Sequence, residues 1–152
     1  MKNRFSLQSA LISGMVATIA MTIFTYIAPL MGFEMNIPKM LAETMNSSII
    51  VGWIAHFMIG EILAINYGIF FLKIVNKQSN FKAGAIYGIF PWLMAQVFVM
   101  PMMMSLNGGS FISGFFSGSI IVSMASLMGH LIYGSILGFL YKPEVLMSNV
   151  TT

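Results

Sequence analysis

The side chains able to do chemistry in this 152-residue chain are few, and most are set in long apolar runs. Its four acids are all glutamate, and cysteine is absent. Without a thiol there is no disulfide, thiolate metal site, lipidated cysteine or thiol nucleophile. Each of the two histidines, His56 and His130, opens a His-x-x-x-Gly step. Two imidazoles at one depth suit a metal ion or the two axial positions of haem b. Zinc normally takes four ligands, whereas here two histidines, one carboxylate and thioethers are on offer. No cofactor is therefore expected, with haem b or a metal ion on His56 and His130 as the alternative. The plainer expectation is that both rings hydrogen-bond to serine or threonine across helices.

Further candidates for binding a small ligand are the hydroxyls that share faces with these rings. Ser119, Ser123, Ser126 and His130 follow steps of 4, 3 and 4, which puts them within about 40° of one line on a helix. Gly52, His56, Gly60 and Tyr67 form a second stripe, and Thr18, Thr22 and Thr25 a third. Glu61 lies twelve residues before Lys73, about 18 Å along a helix, where an ionised acid in a membrane costs several kcal/mol. It stands about 140° around the helix from His56, so one site cannot hold both. Glu61 is expected to approach the threonines of the first apolar stretch or a second protein, either as a titrating group on a proton or small-solute path or as a neutral acid in a structural bond. Gln96 is a weaker candidate. The sixteen methionines, with Met100-Pro-Met-Met-Met104 among them, invite a Cu(I) reading because thioethers are soft. Their clustering follows no regular face, and packing explains it more simply.

The elements that must position these residues are membrane spans. Hydrophobic residues make up 58% of the chain and charged ones 7%, too few charges to coat a surface in water. Between Arg4 and Glu34 lie 29 uncharged residues, and from Ala83 to Tyr141 there are 59; a crossing takes roughly 20. Four spans follow, at about 10–30, 48–72, 83–104 and 118–141, with the third and fourth separated by the turn Ser105-Leu-Asn-Gly-Gly-Ser110. The first run is too long for a signal-peptide core and lacks a cleavage motif, so it is expected to be retained. Phe111, Phe115 and Phe116 are placed in the headgroup zone. Six basic residues fall on one side (Lys2, Arg4, Lys73, Lys77, Lys82, Lys142) and one, Lys39, on the other, which puts both termini in the cytoplasm. That distribution also argues against nucleic acid as a partner. The outer loop is expected to hold a short interfacial helix over 36–45, with Pro38 in its first turn and Ile37, Leu41 and Met45 on one face.

The halves share a pattern. His56-Phe-Met-Ile-Gly60 and His130-Leu-Ile-Tyr-Gly134 each follow an Ile-Ile-Val run, and Gly14 has a counterpart in Gly84. Two duplicated hairpins, related by an axis along the membrane normal, are expected. In a ring of consecutive helices, His56 and His130 then face each other across the centre. Gly84-x-x-x-Gly88 and Gly14-x-x-x-Thr18-x-x-x-Thr22 supply close-packing faces, and Pro91 and Pro101 should bend the third span.

Several of these motifs together, Gly14-x-x-Ala17-Thr18-x-x-Met21-Thr22, Pro29-x-x-Gly32, Pro38-x-Met40-Leu41, Gly52-x-x-x-His56-Phe57-x-x-Gly60, Gly84-Ala85-x-Tyr87-Gly88, Trp92, Met100-Pro101 and Gly129-His130-Leu131-x-Tyr133-Gly134, resemble the YagU-like and related families of small bacterial inner-membrane proteins. The resemblance implies a four-helix protein of a bacterial cytoplasmic membrane and brings no catalytic mechanism. The expectation is thus an all-α integral membrane four-helix bundle, non-enzymatic and accessory or structural, with the lipid bilayer as its surroundings and a second copy or a membrane complex as candidate partner.

Overall fold

In a computed structural model of the chain, residues 3–32, 35–75 and 78–145 are described; Lys2 and Lys77 of the charge tally lie outside them. Four helices are long and apolar enough to cross a membrane: Leu7–Leu30, Ile49–Ile74, Phe81–Leu106 and Ile120–Leu140, the first to fourth spans below. The all-α expectation holds. Capping fixes two of the starts: the Ser6 hydroxyl accepts from the Ser9 N–H at 3.4 Å, and the Asn80 side chain from the Ala83 N–H at 2.9 Å. Two-residue strands β1 (Asn3–Arg4) and β2 (Glu144–Val145) pair antiparallel beside these starts. The N–H of Lys142 adds a 2.7 Å bond to the Ser9 hydroxyl, so the flanks of the first and fourth spans are tied together at one end of the bundle.

The side chains are distributed inside out relative to a protein in water. Ala10, Ser13, Ala17, Thr18 and Thr25 are buried, whereas Ile12 is 58% and Ile54 61% exposed, as are most large aliphatic residues of the spans. Such an exterior is stable only in hydrocarbon, and the four helices define a membrane protein. Buried hydroxyls are satisfied locally: Thr18 donates to the Gly14 carbonyl at 2.8 Å, Thr22 to Thr18 at 2.7 Å and Thr25 to Thr22 at 2.8 Å.

The first span packs against the second and fourth, and the fourth most extensively against the third. Small residues make these contacts. A Cβ on Gly84 would strike the Gly134 carbonyl and Gly138, one on Gly88 would strike the His130 carbonyl, and one on Gly134 would strike Gly84 and Gly88. In the other hairpin Gly14 lies against Ala64, and Gly60 against Thr18. Small residues thus form the seam of each hairpin.

Three details differ from expectation. The fourth span starts at Ile120, not at Gly118, because Ile112–Gly118 forms a 3-10 segment, broken by a kink at Phe115–Ser117, that is laid on the end of the third span, where Gly114 sits against Met100 and Pro101. Ser119 is in consequence extended, at φ −154° and ψ 126°, and does not continue the serine stripe on the helix. The short helix exists, as Ile37–Thr44 capped by Asn36, but it buries Pro38 and Ala42 against Gly52 of the second span rather than the Ile37, Leu41, Met45 face. Finally, the third span relieves its prolines through a π turn at Ala95–Val99, closed by the Met100 N–H on the Ala95 carbonyl. Pro101 offers no N–H, and its ring would crowd the carbonyl four residues back; one extra residue in the turn removes that conflict.

Since the Gly84 seam has backbone on both sides, Gly84→Leu is expected to lower stability by about 3 kcal/mol, read as an earlier transition in an SDS titration followed by circular dichroism. Outward-facing Ile54→Leu should stay within about 0.5 kcal/mol of the parent.

Candidate functional site

The spans do not close on one another all round. Near the end that carries β1 and β2, the second and third meet: the Tyr87 hydroxyl donates to the Leu63 carbonyl at 2.7 Å, and its ring lies 5.1 Å from those of Tyr67 and Phe71. Farther along they stand apart, and a cavity of about 880 Å³ occupies the space between all four spans, the short helix and Ser117. Ile59 on the second span and Phe90 and Met94 on the third line this cavity and are also exposed. It therefore opens sideways between those helices. Asn36, Lys39 and Glu43 border its far end, where Lys39 and Glu43 form a 3.8 Å ion pair.

Both histidines line the cavity, and their hydrogen bonds fix which nitrogen carries the proton in each neutral ring. Nδ1 of His130 lies 2.9 Å from the Ser126 carbonyl. A carbonyl only accepts, so Nδ1 holds the hydrogen and Nε2 keeps a bare lone pair. Nε2 of His56 lies 2.9 Å from the Thr22 hydroxyl, whose own hydrogen goes to the Thr18 carbonyl. His56 is therefore protonated on Nε2, with Nδ1 bare. Among the described residues no group of three or more His, Asp or Glu side chains stands close enough to hold a metal.

The remaining candidates divide between the cavity and its supports. Thr18, Thr25 and Ser126 line it, while Thr22 stands behind His56 and holds that ring. Gln96, fully buried, ties three elements together: its amide donates to the Ser126 hydroxyl at 3.4 Å, and its carbonyl accepts from the Ser117 hydroxyl at 2.8 Å. Ser123 is buried outside the cavity, where its carbonyl accepts from the Trp92 indole at 2.9 Å and its hydroxyl has no partner among the described residues. Six of the sixteen methionines converge here: Met21, Met35 and Met40, with Met94, Met100 and Met103 from the third span. Sequence reasoning singled out neither Tyr133, which lines the cavity and donates to the Gly60 carbonyl, nor Ser117. Tyr133 is legible in the His-x-x-Tyr-Gly motif. Ser117 has no sequence signal, because a left-handed serine at φ 56° is what aims its side chain at Gln96.

Glu61 is elsewhere. Its carboxyl lies against Gly14 in the seam between the first two spans, one turn from Thr18. Both carboxyl oxygens are buried without a hydrogen-bond partner among the described residues. An unpartnered buried polar group costs about 1–3 kcal/mol. Glu61→Met is accordingly expected to raise stability by roughly that amount in the SDS titration; a lowered midpoint would mean that the carboxyl is bonded.

A bundle of four apolar helices around an off-centre cavity defines this chain as a multi-span α-helical membrane protein. Over residues 6–146 it matches the model of a family of unknown function, DUF6789, and it belongs to that family. No curated protein and no solved structure matches it.

Proposed function

We propose that this protein is a non-enzymatic component of a bacterial cytoplasmic membrane, with both termini on the cytoplasmic side, whose cavity binds a small lipid-soluble molecule entering sideways from the bilayer. The observation that carries the reading is the cavity itself: it is walled mainly by apolar side chains and carries a few convergent polar groups, the usual make-up of a small-molecule site. Methionine supports it further, since flexible thioether side chains fit themselves to ligands of varied shape. The orientation rests on the basic residues flanking the termini and the loop between the second and third spans. The matched seams, Gly14 with Ala64 and Gly84 with Gly138, support descent of the two hairpins from one duplicated unit, and the motif likeness to the YagU-like families is part of the same reading.

Native mass spectrometry from lipid nanodiscs tests it. The parent should carry a bound lipid-soluble molecule, and Ala95→Trp, which fills the cavity from the third span, should carry at least tenfold less while eluting as the parent does. Equal loading of the two proteins would refute the proposal. A preparation with a Soret band, lost in His130→Ala, would replace it with the haem alternative on His56 and His130.

A further inference from the structure

The polar side chains on the deep wall of the cavity have nearly all spent their hydrogens on the protein. The hydroxyl of Thr18 donates to Gly14, that of Thr25 to Thr22, that of Tyr133 to Gly60, and that of Ser117 to Gln96. His56 gives its N–H to Thr22, and His130 gives its own to Ser126. What this wall presents to a ligand is a row of acceptors, the strongest of them the bare nitrogens of the two rings; of these His56 is buried and His130 is the more open, its Nε2 without a partner among the described residues. A buried acceptor left unbonded in a low-dielectric site is costly, so the favoured occupant is one that brings a donor. A cationic amine would bring donors and also a charge, but Glu61 sits in the seam of the first hairpin and does not line the cavity, and Glu43 at the far end is already paired with Lys39. A neutral donor is left.

We infer that the cavity accepts a lipid-soluble alcohol or phenol, its hydroxyl donating to Nε2 of His130 and its apolar body lying among the methionines toward the opening between the second and third spans. This rests on the cavity being a binding site, and it goes further in naming the chemistry of the ligand's head.

Full-length protein in nanodiscs is loaded with a solvatochromic dye such as Nile red, and the cavity signal is taken as the component missing from Ala95→Trp. Dodecanol and dodecyl methyl ether, matched in mole fraction in the bilayer, are compared as displacers; they differ in that only the alcohol can donate. One hydrogen bond to an otherwise unpaired acceptor should make the alcohol about tenfold the better displacer. His130→Phe should lose that preference, read as the ratio of the two displacers within the variant, so that a change in its own affinity for the dye cancels. As a readout that needs no variant, the 15N signal of Nε2 in histidine-labelled parent should be that of an unprotonated ring nitrogen and should move on adding dodecanol but not the ether. Equal displacement, with Nε2 unmoved by either compound, overturns the inference and leaves the cavity reading standing. A dye signal identical in the parent and Ala95→Trp removes the cavity reading itself.

Discussion

Backbone-to-backbone contact between the third and fourth spans is the interaction on which the rest of the molecule depends. Gly84 and Gly88 on one helix and Gly134 and Gly138 on the other let the axes approach until carbonyl oxygens touch α-carbons. In hydrocarbon, helices gain little from burying apolar side chains, because lipid tails are equally apolar; dispersion contact and interhelical hydrogen bonds must supply the attraction. A glycine seam maximises both. It also sets the depth of His130, whose carbonyl lies against Gly88, and it brings Gln96 within reach of Ser126.

The cavity exists because this kind of seam is not repeated everywhere. Gly14, Thr18, Gly60 and Ala64 join the first two spans in the same manner, but where the second and third spans face each other the side chains are Ile59, Leu63, Phe90 and Met94. Large side chains hold those axes apart, and Pro91 with the π turn at Ala95–Val99 steers the third span further around the space. The short helix and the 3-10 segment then bound its far end, pinned by Pro38 and Ala42 against Gly52 and by Gly114 against Pro101. A void with polar atoms in its wall and apolar surfaces around it is thus a consequence of where glycine stops.

Most threonine and serine hydroxyls within the spans follow one rule, satisfaction at short range. Threonine and serine hydroxyls turn back to carbonyls three or four residues earlier, which removes their donors from the interior and leaves acceptors behind. The histidines extend the rule in opposite senses, one protonated on Nε2 and the other on Nδ1. Glu61 and the Ser123 hydroxyl break it, and of the two the buried acid, without a partner among the described residues, is the less favourable.

Much of this was legible beforehand, for a physical reason. An apolar run of the right length has one outcome in a bilayer, a helix with its backbone bonds closed internally, so the four spans follow from composition and spacing alone. The glycine pairs and the inward serine and threonine faces are visible because they repeat at helical period. Ser119 and Gly118 were assigned to the helix because no local signal marks Ile112–Gly118 as folding back; contact with Pro101 decides that. Likewise the buried face of the short helix is set by Gly52 of the next helix and not by its own four-residue pattern.

By itself, then, the sequence determined the class of protein, the number of its spans and which faces turn inward, since these depend on local hydropathy and helical spacing. Tertiary structure alone decided which inward faces meet and which stay apart. It gathered six methionines from four separate segments around one cavity, set Glu61 against Gly14, and brought Thr22 to the ring of His56, because such convergence is set by partners distant in the chain and not by a residue's own neighbours.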